Sequence, residues 1–215
     1  MPTDTKATEV ARRRWDRAAF FFDLLEVPFE RHRFGTWRAL AWSKVEGTHI
    51  LEVGAGTGKS FRHYPEGVEI TAIDLSDKML ARARDKAAKQ SVKVHLQQMD
   101  VQNLQFDDNT FDTVASNCVF CSVPDPVRGL REVERVCKPG GKVVMLEHVL
   151  SANRILAFHM NLVNPLVARM MGPNINRRTV ENVAKSGLVV EHVTDVGFGI
   201  FKLIEARKKA SEKQA

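Results

Sequence analysis

Cysteine is scarce in this chain. Cys118, Cys121 and Cys137 make an odd set without framework spacing. That excludes a disulfide-stapled secreted scaffold and points to a reducing, cytoplasmic compartment. Long apolar runs are also missing. No stretch of about eighteen uncharged apolar residues occurs, so no transmembrane helix is expected. The stretch from Lys6 to Arg17 is charged and holds no apolar signal core. Internal repeats are absent. Acid is nearly absent from one region, since Glu181 is the only acid between 151 and 187. What remains is ordinary for a globular chain. A length of 215 residues with 44% apolar content fits a single α/β domain with a small addition. The net charge of +6 admits anionic partners, lipid or nucleic acid, without choosing between them.

One segment carries chemistry. Leu51-Glu52-Val53-Gly54-Ala55-Gly56-Thr57-Gly58 is followed by Ile70-Thr71-Ala72-Ile73-Asp74. A strand enters a glycine-rich turn, a helix follows, and a second strand ends in a carboxylate. This is the front of a nucleoside-binding α/β unit. Asp74, at the tip of the second strand, is placed to accept hydrogen bonds from two ribose hydroxyls. The glycines read G-x-G-x-G, not the G-x-G-x-x-G of dinucleotide folds. With Glu52 two residues ahead, the segment resembles motif I of the class I S-adenosylmethionine-dependent methyltransferases, E-x-G-x-G-x-G. Arg135-Val136-Cys137-Lys138-Pro139-Gly140-Gly141 is similar to that family's R-V-L-K-P-G-G turn before the fifth strand. These motifs cover residues 48 to 148.

The resemblance implies a Rossmann-like, seven-stranded, mostly parallel sheet with helices on both faces. Strands are expected near 49–53, 68–73, 92–98, 111–116, 141–147, 188–195 and 199–206. Helices are expected near 58–63, 77–89, 126–137, 154–171 and 177–186. The last two strands follow each other without a helix, so one strand should run antiparallel. Two further helices, near 7–25 and 29–45 and separated by Pro28, form an extension over residues 1–46. The cofactor core would span 47–150, substrate-covering helices 151–187, and the final strands 188–207.

The cofactor implied is S-adenosylmethionine, released as S-adenosylhomocysteine, with no metal. Its site would use Glu52, Gly54, Gly56 and Gly58 at the first strand, Asp74 and Leu75 at the second, Asp100 and Val101 at the third, and Asn117 at the fourth. Asp100 would face the adenine amine. Cys118-x-x-Cys121 has no second ligand pair of zinc spacing and reads as pocket lining.

The acceptor must be read outside the core. After the fourth strand stands Asn117-Cys118-Val119-Phe120, not the N-P-P-Y or D-P-P-Y of nucleic-acid amino-methylating enzymes, so nucleic acid is not the expected partner. Arg14-Trp15-Asp16-Arg17-Ala18-Ala19-Phe20-Phe21-Phe22-Asp23 resembles the Y-D-R-x-A-x-x-Y-D helix of bacterial phosphatidylethanolamine N-methyltransferases and of ubiquinone/menaquinone C-methyltransferases. Trp15 and Phe22 stand where those families have tyrosines. Val123-Pro124-Asp125-Pro126 and Leu146-Glu147-His148 look more like the phospholipid enzymes. They also look like membrane-associated thiol methyltransferases. Asn174 to Thr179 is similar to an N-x-x-R-x-T element of these relatives.

Ile155, Leu156, Phe158, Leu162, Val163, Leu166, Val167, Met170 and Met171 recur at helical spacing around Pro165, with Arg154, Arg169, Arg177 and Arg178 around them. Such a helix could cover a lipid-like substrate, meet an anionic surface, or simply pack on the sheet. The expectation is phosphatidylethanolamine N-methylation at the inner membrane face. A quinone precursor and a small thiol are the alternative acceptors. Trp15, Phe22, Arg177 and Arg178 would bind substrate. His148, then His159, would stand nearest the reacting atom.

Overall fold

The computed structural model describes residues 5–29, 33–170 and 172–210, and leaves aside the side chains of 20–29. Phe22 therefore lies outside the described side chains, as do Phe20, Phe21 and Phe29. Arg31 and Met171 lie outside the described residues.

Seven strands form one sheet: β1 (His49–Val53), β2 (Glu69–Asp74), β3 (His95–Gln98), β4 (Phe111–Asn117), β5 (Cys137–His148), β6 (Val189–Gly197) and β7 (Phe201–Arg207). Their order across the sheet is β3-β2-β1-β4-β5-β7-β6. All pairings from β3 to β5 are parallel. β7 is antiparallel to both its neighbours, so the antiparallel strand lies inside the sheet and β6 forms the edge. The described helices are α1 (Thr5–Phe29), α2 (Gly35–Trp42), α3 (Asp77–Gln90), α4 (Pro126–Val136), α5 (Arg154–Met170) and α6 (Thr179–Ser186).

The two faces bury different helices. Leu130, Val133 and Val136 of α4 and Val183 of α6 pack with Leu51, Val53, Val143 and Met145. On the opposite face Phe34 and α2's Trp37 and Ala41 pack with Val144, Leu146 and Leu203. This is the period-two alternation of strands buried on both sides. Each such side chain contributes about 1.5–3 kcal/mol on burial.

Four expected elements differ most. The helix near 58–63 is only a 3-10 turn, Phe61–His63. Tyr64 precedes Pro65 and is extended (φ −63°, ψ 132°), as a residue before proline prefers. The strand near 92–98 begins at His95, because Ser91 closes α3 in the left-handed region (φ 53°) and Val92 N–H still bonds Ala87 O. Finally, α1 runs through Pro28 to Phe29, and α2 covers only 35–42.

Register sets the site. Val53 pairs with Ile73 on one side and Ser116 on the other. The C-terminal ends of β1, β2 and β4 therefore sit side by side, where ligands of doubly wound sheets bind.

Candidate active site

A groove opens at these strand ends. Val53, Gly54, Gly56, Ile73, Asp74, Leu75, Met79, Met99, Asp100, Val101, Asn117 and Cys118 are among its walls. The turn after β1 is tied to β2 by backbone: Gly54 and Ala55 N–H both donate to Ile73 O (2.8 and 2.9 Å). Asp74 then holds the loop from the other side. One oxygen accepts Gly56 N–H (2.8 Å) and the other accepts Ser76 N–H (2.9 Å). A carboxylate has about four acceptor sites, so capacity for further donors remains. Burial raises the Asp74 carboxyl, and the Ser76 and Gly56 amides pull it back.

Two glycines are required for different reasons. Gly54 has φ +73°, and a Cβ there would lie 2.3 Å from Val119 Cγ2. Gly56 has φ +53°, and a Cβ there would meet nothing within 4 Å. The first admits the neighbouring loop and the second leaves room for a ligand to approach backbone.

Around the groove, Asp100 accepts Gln102 N–H (2.9 Å) and the hydroxyl of Thr8 (3.3 Å). Asn117 Oδ1 is buried without a partner, while its amide nitrogen donates to Ser60 Oγ (3.4 Å). An orphaned buried acceptor beside an open glycine turn suits a ligand that brings a donor. A carboxylate at a strand tip with acceptor capacity left, an apolar bay of Met79, Met99 and Val101, and that free acceptor fit a nucleoside bearing an amino group.

Glu52 and Gly58 do not line the groove. Glu52 is buried beneath it and accepts from Tyr64 OH, and burial raises its carboxyl. It also bonds Ser60, which in turn receives Asn117 and Arg38. The acid thus reaches the groove through Ser60 and Asn117. Sequence spacing gives an acid's position along a strand but not the face it turns to.

A second cavity of about 440 Å³ adjoins the first. Ala11, Trp15, Ser122 and Pro124 border both. Its other walls include Lys6, Arg14, Gly172, Asn174 and Arg177, with no acid among the described lining residues. α1 forms one side. It is pinned there by Ser76 Oγ donating to Asp16 (2.6 Å) and by Thr8 on Asp100. Arg177 donates Nη2–H to Val123 O (2.7 Å), and its Nε is buried without a partner. Burial lowers its pKa, as expected for a cation held away from water.

Of the residues expected to bind substrate, Trp15 and Arg177 come together here. Arg178 does not; it is exposed and pairs with Glu181 at 2.9 Å. The two histidines stand elsewhere. His148 alternates onto the α2 face, where its ring meets Phe201 edge-on at 5.1 Å and its Nδ1 is buried without a partner. Burial pushes its pKa below the usual range, so the ring is neutral. His159 lies on the exposed side of α5 with Nδ1 2.8 Å from Ile155 O. Neither lines either cavity.

Reading the sequence missed Lys6, Arg14, Thr8 and Glu147. Glu147 faces the α4 side and accepts Val119 N–H (3.0 Å), Phe120 N–H (3.3 Å) and Ser116 OH (3.3 Å). It thereby holds the loop whose Cys118 and Val119 wall the groove. Full burial pushes its carboxyl up to about 7. The sequence signal for it was available: an acid one residue before the end of an otherwise apolar strand needs partners. Cys121 is buried beneath this loop, its thiol donating to Cys118 O (3.4 Å).

Comparison with known proteins agrees with this geometry. Residues 51–145 match the family described as methyltransferase domain. A phosphatidylethanolamine N-methyltransferase of Cereibacter sphaeroides is 43% identical over 113 residues, 52% of this chain and 56% of that protein. A demethylmenaquinone methyltransferase of Staphylococcus epidermidis is 32% identical over 155 residues, 67% of this chain and 63% of that protein. The matched part thus spans under two thirds of either relative. A solved structure of a SAM-dependent methyltransferase from Methanosarcina mazei superposes with a TM-score of 0.64 at 20% identity, covering 80% of this chain and 98% of that one. It has the same fold.

Proposed function

Since residues 51–145 of this chain match a methyltransferase domain, we propose that it moves a methyl group from S-adenosylmethionine to an amphipathic lipid at a membrane surface, the amine of phosphatidylethanolamine first. The observation that carries the lipid reading is the cavity beside the first groove, whose described lining holds Lys6, Arg14 and Arg177 and no acid. A phosphodiester is anionic at every physiological pH, and arginine binds such oxygens in a planar, two-pronged way. The 43% identity to a phosphatidylethanolamine enzyme supports the same reading.

The bound cofactor supplies an electrophilic methyl on a sulfonium. Asp74 would hold the ribose hydroxyls. Asp100 and Val101 would fix the ring, and Asn117 Oδ1 would accept from the ammonium. Gly54 and Gly56 shape the turn, and Glu52 supports it through Ser60. Trp15, on the border of both cavities, would shut water from the line between donor and acceptor. The acceptor amine attacks as the neutral base. Its nitrogen forms the new bond to carbon as the carbon–sulfur bond breaks, and positive charge passes to nitrogen. That amine is an ammonium near neutral pH, so its proton first leaves to water; the reading gives His148 and His159, which line neither cavity, no catalytic task.

A quinone precursor is the second reading, favoured by the 32% identity to a demethylmenaquinone enzyme over more of the chain. Its ring carbon must be activated by phenol deprotonation, and its acceptor carries no phosphate. The test is labelled methyl transfer into a total bacterial lipid extract, with products identified by mass. Label in methylated phosphatidylethanolamines supports the proposal, and label confined to quinones overturns it. If phosphate is held as described, Arg177→Met should raise KM for the lipid by about tenfold. Cofactor affinity should not move.

A further inference from the structure

α5 is an amphipathic helix turned inside out. Ile155, Phe158, Leu162, Leu166 and Met170 form one stripe at spacings of three and four, and each is 62–74% exposed. Met160 alone is buried in the helix. The helix is nonetheless well built. Asn153 Oδ1 caps it by accepting Ile155 and Leu156 N–H (3.0 and 3.1 Å). Asn164 and Asn161 bond Asn174 (3.3 Å) and Asn176 (2.9 Å) on the segment that carries Arg177. The polar side therefore faces the acceptor cavity's wall and the apolar side faces out. A helix of 17 residues with Pro165 inside it is marginal alone. Its exposed stripe needs an apolar partner.

We propose that this face docks on a negatively charged phospholipid bilayer, with the stripe at the level of the upper acyl chains. Charge decides the occupant. Arg154 and Arg169 are the only charged side chains of α5, both are exposed, and no acid lies nearby in sequence before Glu181, which Arg178 occupies. A two-fold pairing of α5 with a second copy, helices antiparallel, would set Arg154 of one copy against Arg169 of the other with nothing to neutralise them. An anionic surface satisfies both while the stripe leaves water. No described helix is long and apolar enough to cross a membrane, so the helix lies in the interface plane. Docked this way, the segment carrying Arg177 sits directly above the bilayer.

The purpose of docking rests on the lipid-acceptor reading, but the two can fail separately. The experiment is flotation of the full chain with phosphatidylcholine vesicles, with and without phosphatidylglycerol. The wild type should float with the anionic vesicles, less so at high salt. Phe158→Asp with Leu162→Asp should weaken flotation by about tenfold per side chain, with thermal unfolding and cofactor binding unchanged. Arg154→Glu with Arg169→Glu leaves the stripe intact and should abolish the preference for anionic vesicles; it also serves if the first variant fails to fold. Unchanged flotation of either folded pair, or no flotation of the wild type, overturns the proposal. So does a wild-type dimer that the Phe158/Leu162 pair makes monomeric, which would name a second copy as the occupant. Flotation without any lipid methylation sinks the acceptor reading alone. Methylation of a soluble short-chain phosphatidylethanolamine without flotation sinks the docking alone.

Discussion

α4 and α5 have the same hydrophobic period and opposite destinations. α4 opens on an Asp125 cap, with Asp125 Oδ1 accepting Arg128 N–H at 3.0 Å and Pro126 in the first turn. It buries Leu130, Val133 and Val136 completely against the sheet, while Arg131 is exposed and Arg128 and Arg135 bond the backbone of residues 102–106. α5 is capped as well, by Asn153, yet it presents its apolar stripe to solvent and its asparagines to the protein. Periodicity shows that a helix has two faces. It does not show which face the rest of the chain covers. That depends on where the helix lands, and α4 lands on the sheet between β4 and β5 while α5 lands against the segment that carries Arg177.

The contrast breaks first on stability. Leu130→Ala should cost about 2–5 kcal/mol in urea unfolding, because it leaves a cavity in a closed core. Leu162→Ala should stay within about 0.5 kcal/mol in vesicle-free buffer. Equal effects would mean that α5 is packed in solution.

Glu147 sharpens the comparison from the α4 side, since it is fully enclosed there. Its folded carboxyl is raised to about 7 from the usual 4.5, so the native state holds the proton more tightly than the unfolded chain does. Its contribution is complete below the unfolded value and is lost as pH rises through about 7. Over that window the wild type should lose up to about 3 kcal/mol relative to Glu147→Gln, and the difference should be flat above it. A pH-independent difference in unfolding free energy between the two proteins would refute the assignment.

The groove between the two regions is next. Asp74→Asn keeps the shape but makes one side-chain atom a donor facing Gly56 or Ser76 N–H. Cofactor affinity by calorimetry should fall about ten- to a hundredfold, with lipid affinity little changed. A smaller loss than at Leu130 is expected where α1 is pinned. Ser76→Ala removes both the bond to Asp16 and the cap of α3 at Met79 N–H, and should cost about 1 kcal/mol. Hydrogen exchange should then rise in α1 more than in α4, and equal protection would show that α1 is held by other contacts.

The strands, the glycine turn and Asp74 were legible because each is a local requirement. A positive φ favours glycine, a strand buried on both faces needs an apolar run, and an acid at a strand tip needs no distant partner to be recognised. Glu52 and His148 were harder. Both were correctly placed at strand ends, but one residue of alternation decides whether a side chain enters a groove or turns beneath the sheet. Glu52 turned toward Tyr64 and His148 toward Phe201. The basic cavity could not be seen at all along the chain. Thr8 meets Asp100 across 92 residues, and Lys6 and Arg14 share a wall with Arg177 only because α1 folds over the strand ends.

The amino-acid sequence by itself determined the element order, the cofactor turn and the presence of an amphipathic, acid-poor helix after β5. These follow from backbone sterics and from hydrophobic period, which act over a few residues. Tertiary structure alone decided that Arg177, not Arg178, joins the basic cavity, that neither His148 nor His159 lines it, and that the apolar face of α5 is left uncovered. Those outcomes depend on which distant segments exclude water from a given side chain, and that is a property of the packed chain as a whole.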